Sequence, residues 1–436
     1  MISAIKWLFG LVGVAAAALG VSWILTMPDK EIRGTWETEG YGLHLDIGRA
    51  LIDIYQVTEI SCHRAYRLPA HQWLIAALED VRFTSQDEGL QIVAGGTLNP
   101  IRADRTASLP DHCPVAPASP GTAQENFDVL WQAMHEHYAF FDLHEVDWAA
   151  RRAAYRPEAA AVLDEDTLFD LFKQTLDGLD DGHLYIARPD GEVHSPSVPP
   201  DWHDDRHMVR DNTLAQFTEL TAINGTGLLY GWATPDIGYV YIAHMDVDEG
   251  FNIAAEDAAQ AAFAEIATVF ADAQGIILDV RYNPGGSDDI ALAYASYFTD
   301  QTIPAFTKST RTDGGYTPPY AVALEPHGTI HLVQPTIVLT TGFTGSAAEI
   351  FTMAMRELPQ VTVMGTSTSG GLSDGLDFTL PNGWILGLSH QRYLTPDGTL
   401  YEGVGVPPDI NVQTDVESAR NGIDAVLDAS IRQISS

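Results

Sequence analysis

GIILDVRYNPGG, residues 275–286, decides the fold. An aliphatic run this short, broken only by Asp279 and closed by Asn-Pro-Gly-Gly, reads as a buried strand that ends in a sharp turn. On its N-terminal side, IGYVYIAHM (237–245) is strand-like and EDAAQAAFAEIATVF (256–270) is helical in its apolar spacing. On its C-terminal side come DIALAYASYF (289–298), again helical, then TIVLTT (336–341), a strand, and VTVMGT (361–366), another. Strands alternating with helices predict an α/β core over 238–436.

The rest of the chain divides around that core. Residues 31–115 carry short alternating runs between Gly, Asp and Ser turns, which predicts a β-rich N-terminal domain. PDHCPVAPASPGTA (110–123) is a Pro/Ala/Gly linker. AQENFDVLWQAMHEHYAFF and DEDTLFDLFKQTLDGL place apolar residues three and four apart, so 124–190 reads as a helical segment. Residues 191–237 read as a loop-rich connection, polar and Pro-rich at their start. At the extreme N-terminus, residues 1–28 hold one Lys6 and then an apolar stretch near the length that spans a bilayer. Ala16-Ala17-Ala18 offers small residues for cleavage, so signal peptide and membrane anchor both stay open. Either one exports the remainder. The two cysteines, Cys62 and Cys113, both fall in the β-rich region, where export would allow a disulfide.

Acidic residues outnumber basic ones 59 to 23, a net charge of −36 spread along the chain. Such a surface repels phosphate backbones and argues against nucleic acid as a partner.

Running on from TIVLTT toward the next strand is TTGFTGSAAEIF (340–351). Ser346 and Glu349 have capping-box spacing, so the serine can be read as a helix cap. It can also be read as a nucleophile, because the Gly285-Gly286 turn could bring main-chain N–H groups close to a ligand. Two such donors beside a serine at a helix start would make an oxyanion hole.

His183 follows an Asp-Asp-Gly turn in LDGLDDGHLYIARP. Taken in order, DGH, LDVRYNPGG, TGSAAEIF and EGVGVPPDI resemble the motifs of the C-terminal processing (tail-specific) peptidases and their tricorn-core relatives. The resemblance covers roughly residues 124–432. It implies a serine peptidase with a crotonase-like ββα core, preceded by a helical segment and the β-rich domain. Ser346 stands in the position of the family nucleophile.

Two departures point to the tricorn-like branch. Tail-specific members pair the serine with a lysine, but here Gly371 occupies the expected neighbourhood and no lysine follows Lys308. The tricorn-like members use a histidine, which matches His183, and a carboxylate, which matches Glu402. The chain between His183 and Ile237 is also too short for the PDZ module that tail-specific members carry. The resemblance thus implies Ser346 as nucleophile, His183 as base and Glu402 as the group fixing its tautomer; Asp180 and Asp181, adjacent to His183 in sequence, are alternatives for that last role. Ala347 N–H and one from Gly285 or Gly286 would hold the oxyanion. The expected substrates are peptides or unfolded proteins, bound in extended form; no cofactor and no metal enter this reading.

Other candidates point to bland roles. His203 and His207, with Asp204 and Asp205, fall in a polar loop and read as a solvated charge run. His135 and His137 are two apart on a helix and face different ways. Asp279 and Arg281 read as supports of the glycine turn. A rival from another class is a ligand-binding protein on the same core, like the retinoid-binding modules.

Overall fold

The computed structural model describes residues 28–70, 81–86, 89–94, 97–113, 119–248 and 253–436. The expectation of a leader or anchor over 1–28 falls outside them save for Pro28. The chain divides into two compact units, one of residues 1–95 and 99–117, the other of 96–98 and 118–436.

In the first unit, seven strands form one antiparallel sheet: β1 (Gly34–Thr38), β2 (Leu43–Ile47), β3 (Leu51–Val57), β4 (Cys62–Pro69), β5 (Val81–Gln86), β6 (Gly89–Ala94) and β7 (Ile101–Thr106). Their order is β4-β3-β2-β1-β7-β6-β5. Alternation puts Trp36, Leu45, Ile52, Leu90, Ile92 and Ala103 in the core. Cys62 and Cys113 form a disulfide that ties the start of edge strand β4 to the segment after β7.

The second unit opens on helices α1 (Ala123–His137), α2 (Trp148–Ala159) and α3 (Glu165–Leu176). Thr122 and Glu125 cap α1 reciprocally, and Trp131 and Trp148 each donate an indole N–H to the other's carbonyl, at 2.9 and 3.0 Å. Then follow β8 (Tyr185–Ala187), β9 (Val193–His194), helix α4 (Arg206–Leu214), β10 (Thr221–Ala222) and β11 (Thr226–Thr234).

The stretch expected to be loop-rich is therefore structured. Strand β11 pairs with β12 (Ile237–Val247), so the core sheet begins before residue 238. Helix α4 was masked in the sequence by the prolines ahead of it and by its polarity; it buries only Val209 and Thr213.

The central sheet continues through β13 (Gly275–Asp279), and its later members are β17 (Thr336–Thr340), β18 (Val361–Gly365) and β22 (Ile410–Asn411), in the order β10-β11-β12-β13-β17-β18-β22. From β12 to β22 every pairing is parallel. A parallel sheet is covered on both faces, which explains the unbroken apolar run of β13. Ile276 and Leu278 pack in one cluster and Ile277 in the other.

Helices α5 (Ile253–Val269), α6 (Asp288–Ala295) and α7 (Ala347–Arg356) contribute to the first cluster. Of the two C-terminal helices, α8 (Val416–Arg420) and α9 (Ala425–Ile434), α9 adds Val426 and Leu427 to the second. A third sheet holds β14 (Ile303–Thr312), β15 (Gly315–Tyr316), β16 (Tyr320–Leu324) and β21 (Gln391–Leu394). In a fourth, β19 (Gly375–Thr379) and β20 (Ile385–Ser389) join β8 and β9 in the order β19-β20-β8-β9. His183 thus lies in the turn that leads into β8 of this fourth sheet, not in a helix.

Candidate active site

Three chain turns meet in the second unit. The first follows β13. Arg281, fully buried, donates to both oxygens of Asp279 and to Asp424, whose carboxyl is held down at about 2 chiefly by that guanidinium despite its burial. Thr341 and Thr344 donate their hydroxyls to the carbonyls of Arg281 and Val280, fastening this strand end to the turn after β17. Asp279 and Arg281 therefore anchor the glycine turn. Beyond them, Gly285 and Gly286 have φ of +115° and +142°. A methyl group on Gly286 would lie 2.0 Å from the Met245 carbonyl oxygen, so only glycine fits beside β12.

Ser346 sits between β17 and α7 with φ of +52° and ψ of −127°, a conformation costly for a non-glycine residue. Ser346 and Glu349 have capping-box geometry, in which Glu349 accepts the Ser346 N–H at 3.1 Å. The hydroxyl also faces the imidazole. Ser346 Oγ lies 3.2 Å from His183 Nε2.

His183 arrives from the turn between α3 and β8. Asp181 is buried and accepts the His183 main-chain N–H at 2.9 Å and the Ser389 hydroxyl at 2.7 Å. Asp180 accepts Val198 N–H at 2.7 Å. Neither aspartate is hydrogen-bonded to the imidazole; Asp181 places the residue through its backbone. Around the ring, Gly371 and Gly375 leave room, since a methyl on either would come no closer than 3.8 Å to it.

Glu402 differs from expectation. It is buried, but Glu402 Oε2 accepts the N–H groups of Leu372 and Ser373 at 3.0 and 2.9 Å. His183 Nδ1 has no hydrogen-bond partner among the described residues, so Glu402 does not bond the imidazole. Its carboxylate is engaged by loop amides instead. Burial, reinforced by the charges of Asp181 and Glu349, pushes the Glu402 carboxyl well above its ordinary range.

The oxyanion candidates also separate. Gly285 N–H is taken by Asn283 Oδ1 at 2.9 Å, which removes it as a free donor. Gly286 N–H and Ala347 N–H remain as the candidates at this corner.

One residue escaped sequence reasoning. Glu349 is completely buried and accepts from Ser346 N–H, the Thr368 and Ser369 hydroxyls, and the N–H groups of Gly370 and Gly371. Burial raises its pKa while these bonds oppose the rise. The Ser-x-x-Glu spacing was its signal, read only as a cap.

The remaining candidates lie elsewhere or serve packing. Lys308 is buried, with Nζ 2.6 Å from Asp374 Oδ2. His203, Asp204 and Asp205 form a short 3-10 turn, and Asp205 pairs with Arg420 at 2.9 Å; His207 lies in α4. His135 stacks on Trp131 and His137 on Phe378.

Residues 236–412 match the profile of Peptidase family S41, and residues 121–177 match the Tricorn protease C1 domain. A solved structure from Parabacteroides merdae, provisionally named a peptidase, is 30% identical with a TM-score of 0.62, covering 72% of this chain and 98% of that one. The chain belongs to peptidase family S41. It is 30% identical over 157 residues to the carboxy-terminal-processing protease of Bartonella bacilliformis, which is 36% of this chain and 35% of that protein. It is also 30% identical over 141 residues to a CtpA-like serine protease of Staphylococcus aureus, 32% of this chain and 27% of that one. The matches thus span about a third or less of these relatives. Mature CPAF, at 13% identity and a TM-score of 0.54 over 72% of this chain and 97% of its own, shares the fold.

Proposed function

We propose that this chain is an exported serine peptidase that cleaves extended polypeptides through an acyl-enzyme on Ser346. The observation that carries the reading is the 3.2 Å approach of Ser346 Oγ to His183 Nε2. A serine hydroxyl needs an adjacent base to attack a carbonyl at neutral pH. His183 Nε2 takes the hydroxyl proton as Oγ bonds to the scissile carbon, and the carbonyl π electrons move to oxygen. Ala347 N–H, at the start of α7, and Gly286 N–H stabilise that oxyanion. The imidazolium then returns its proton to the leaving amine, the C–N bond breaks and the acyl-enzyme remains. Water, deprotonated by the same nitrogen, releases it.

In this reading a Ser–His pair replaces the Ser–Lys dyad, which agrees with Lys308 being committed to Asp374. Glu402 acts through the Leu372–Ser373 backbone rather than on the imidazole. The tricorn-like branch without a PDZ module is supported by the match at 121–177 and by β8–β11 and α4 filling the chain between His183 and β12. A crotonase-type relation of the core is consistent with the parallel β12-β13-β17-β18 order. Export is supported by the apolar composition of residues 1–28, which would also supply a membrane tether if retained, and by the disulfide.

A fluorophosphonate probe tests the reading, because it needs an activated serine. Wild-type protein should label at Ser346 and hydrolyse an unfolded protein. Ser346→Ala should lose both with a melting temperature within a few degrees of wild type. His183→Ala should lose as much turnover, since base and nucleophile act as a unit. Undiminished hydrolysis by Ser346→Ala would exclude the mechanism. A ligand-binding protein on this fold would not label at all.

A further inference from the structure

Two segments that must hold still for Ser346 and His183 to stay in register run directly to one carboxylate, and a third reaches it through Thr368. Glu349 Oε2 accepts Ser346 N–H at 3.1 Å, Gly371 N–H at 2.8 Å and the Ser369 hydroxyl at 3.1 Å. Glu349 Oε1 accepts Gly370 N–H at 2.7 Å and the Thr368 hydroxyl. Thr368 Oγ1 in turn accepts Val406 N–H at 2.7 Å, so its own proton is committed to Glu349. The nucleophile, the 368–371 loop beside the imidazole, and the segment after Glu402 are thereby joined.

Such an array is not what a helix cap needs. A capping box requires one bond back to the cap residue, whereas here four further donors come from residues 368–371. Gly371 also returns its carbonyl to Ser346 N–H at 3.1 Å and stands against His183, so its placement fixes both members of the pair. A group accepting from five donors behaves as an ionised carboxylate, and no amide can replace it. In Glu349→Gln, either orientation of the amide sets an NH2 against a main-chain N–H: Gly370 on one side, Ser346 and Gly371 on the other.

We propose that Glu349 is a positioning residue for peptide hydrolysis, holding Ser346 and the loop that walls His183 in reactive register. This rests on Ser346 and His183 being the reacting pair.

The test separates positioning from support of the fold. Labelling by a fluorophosphonate is resolved into its maximal rate constant and its half-saturating concentration, alongside kcat and KM on a peptide. Glu349→Gln should lower the labelling rate constant and kcat by about 10²-fold, as a misplacement near 1 Å does, with KM within about twofold. Should that variant not fold, Thr368→Val decides: it deletes one donor and should lower the same rate constants by about tenfold, while Thr368→Ser restores them. Rate constants at the wild-type level in folded Glu349→Gln or in Thr368→Val, whatever the melting temperature, would overturn the inference. Wild-type protein that does not label would instead overturn the serine reading, and this inference with it.

Discussion

Gly285 shows how little freedom the site allows at the scale of one residue. Its N–H is bound by Asn283 Oδ1, its carbonyl accepts Met245 N–H at 2.8 Å, and its Cα faces Ser346. A methyl group there would lie 2.5 Å from Ser346 Cβ and 2.9 Å from the Gly345 carbonyl oxygen, in a φ that side chains rarely adopt. Gly285→Ala must therefore push the serine or the turn aside. The expected result is loss of fluorophosphonate labelling by about 10²-fold or more. Gly314→Ala, where a methyl meets nothing within 4 Å, should label as wild type does. Equal labelling of both variants would show that the Gly285–Ser346 contact does not set the nucleophile.

At the scale of elements, what could be read from the sequence depended on periodicity. β13 was legible because burial on both faces leaves an unbroken aliphatic run, and the turn after it because Asn-Pro-Gly-Gly admits few conformations. Helix α4 and strand β11 were not, since α4 is short and largely polar and β11 is mostly half-exposed. The direction taken by a buried carboxylate was not legible either. Glu402 and Glu349 belong to readable motifs, but whether each reaches an imidazole or a row of amides is set by contacts between segments far apart in sequence.

Asp288, the first residue of α6, gives that point a measurable form. It is buried, accepts the Tyr393 hydroxyl at 2.7 Å and lies 3.9 Å from Lys308 Nζ. Burial, with the charge of Asp374 adding to it, pushes its pKa up to about 7, while Lys308 pulls the other way. In the unfolded chain an aspartate titrates near about 3.9. The contribution is therefore fully present below about pH 4, falls as pH rises through about 7, and is level above it. Asp288→Asn should gain stability relative to wild type as pH rises from about 4.5 to about 8, measured by urea unfolding. A pH-independent difference between the two proteins would contradict the assignment.

The whole molecule is two compact units, each with a hydrophobic core of its own, and only the first carries a disulfide. The Cys62–Cys113 link spans 51 positions in sequence. On the chain-entropy account, closing a loop of that size constrains the unfolded state by about 4 kcal/mol. The link acts on a sheet whose edge strands, β4 and β5, lack a partner on one side among the described residues. Cysteine-to-serine replacement at both positions should therefore loosen the first unit selectively. Hydrogen exchange resolved by residue is the suitable measurement, because protection reports the opening free energy of each segment. Amides that exchange only by unfolding of the first unit should lose up to about 10³-fold protection in β1, β2 and β7, the equivalent of about 4 kcal/mol. Protection in β13 and β17, whose parallel pairing belongs to the second unit, should stay within about threefold of wild type. A matching loss in β13 would mean that the units open together; unchanged protection in β1 would mean that the disulfide does not stabilise this sheet.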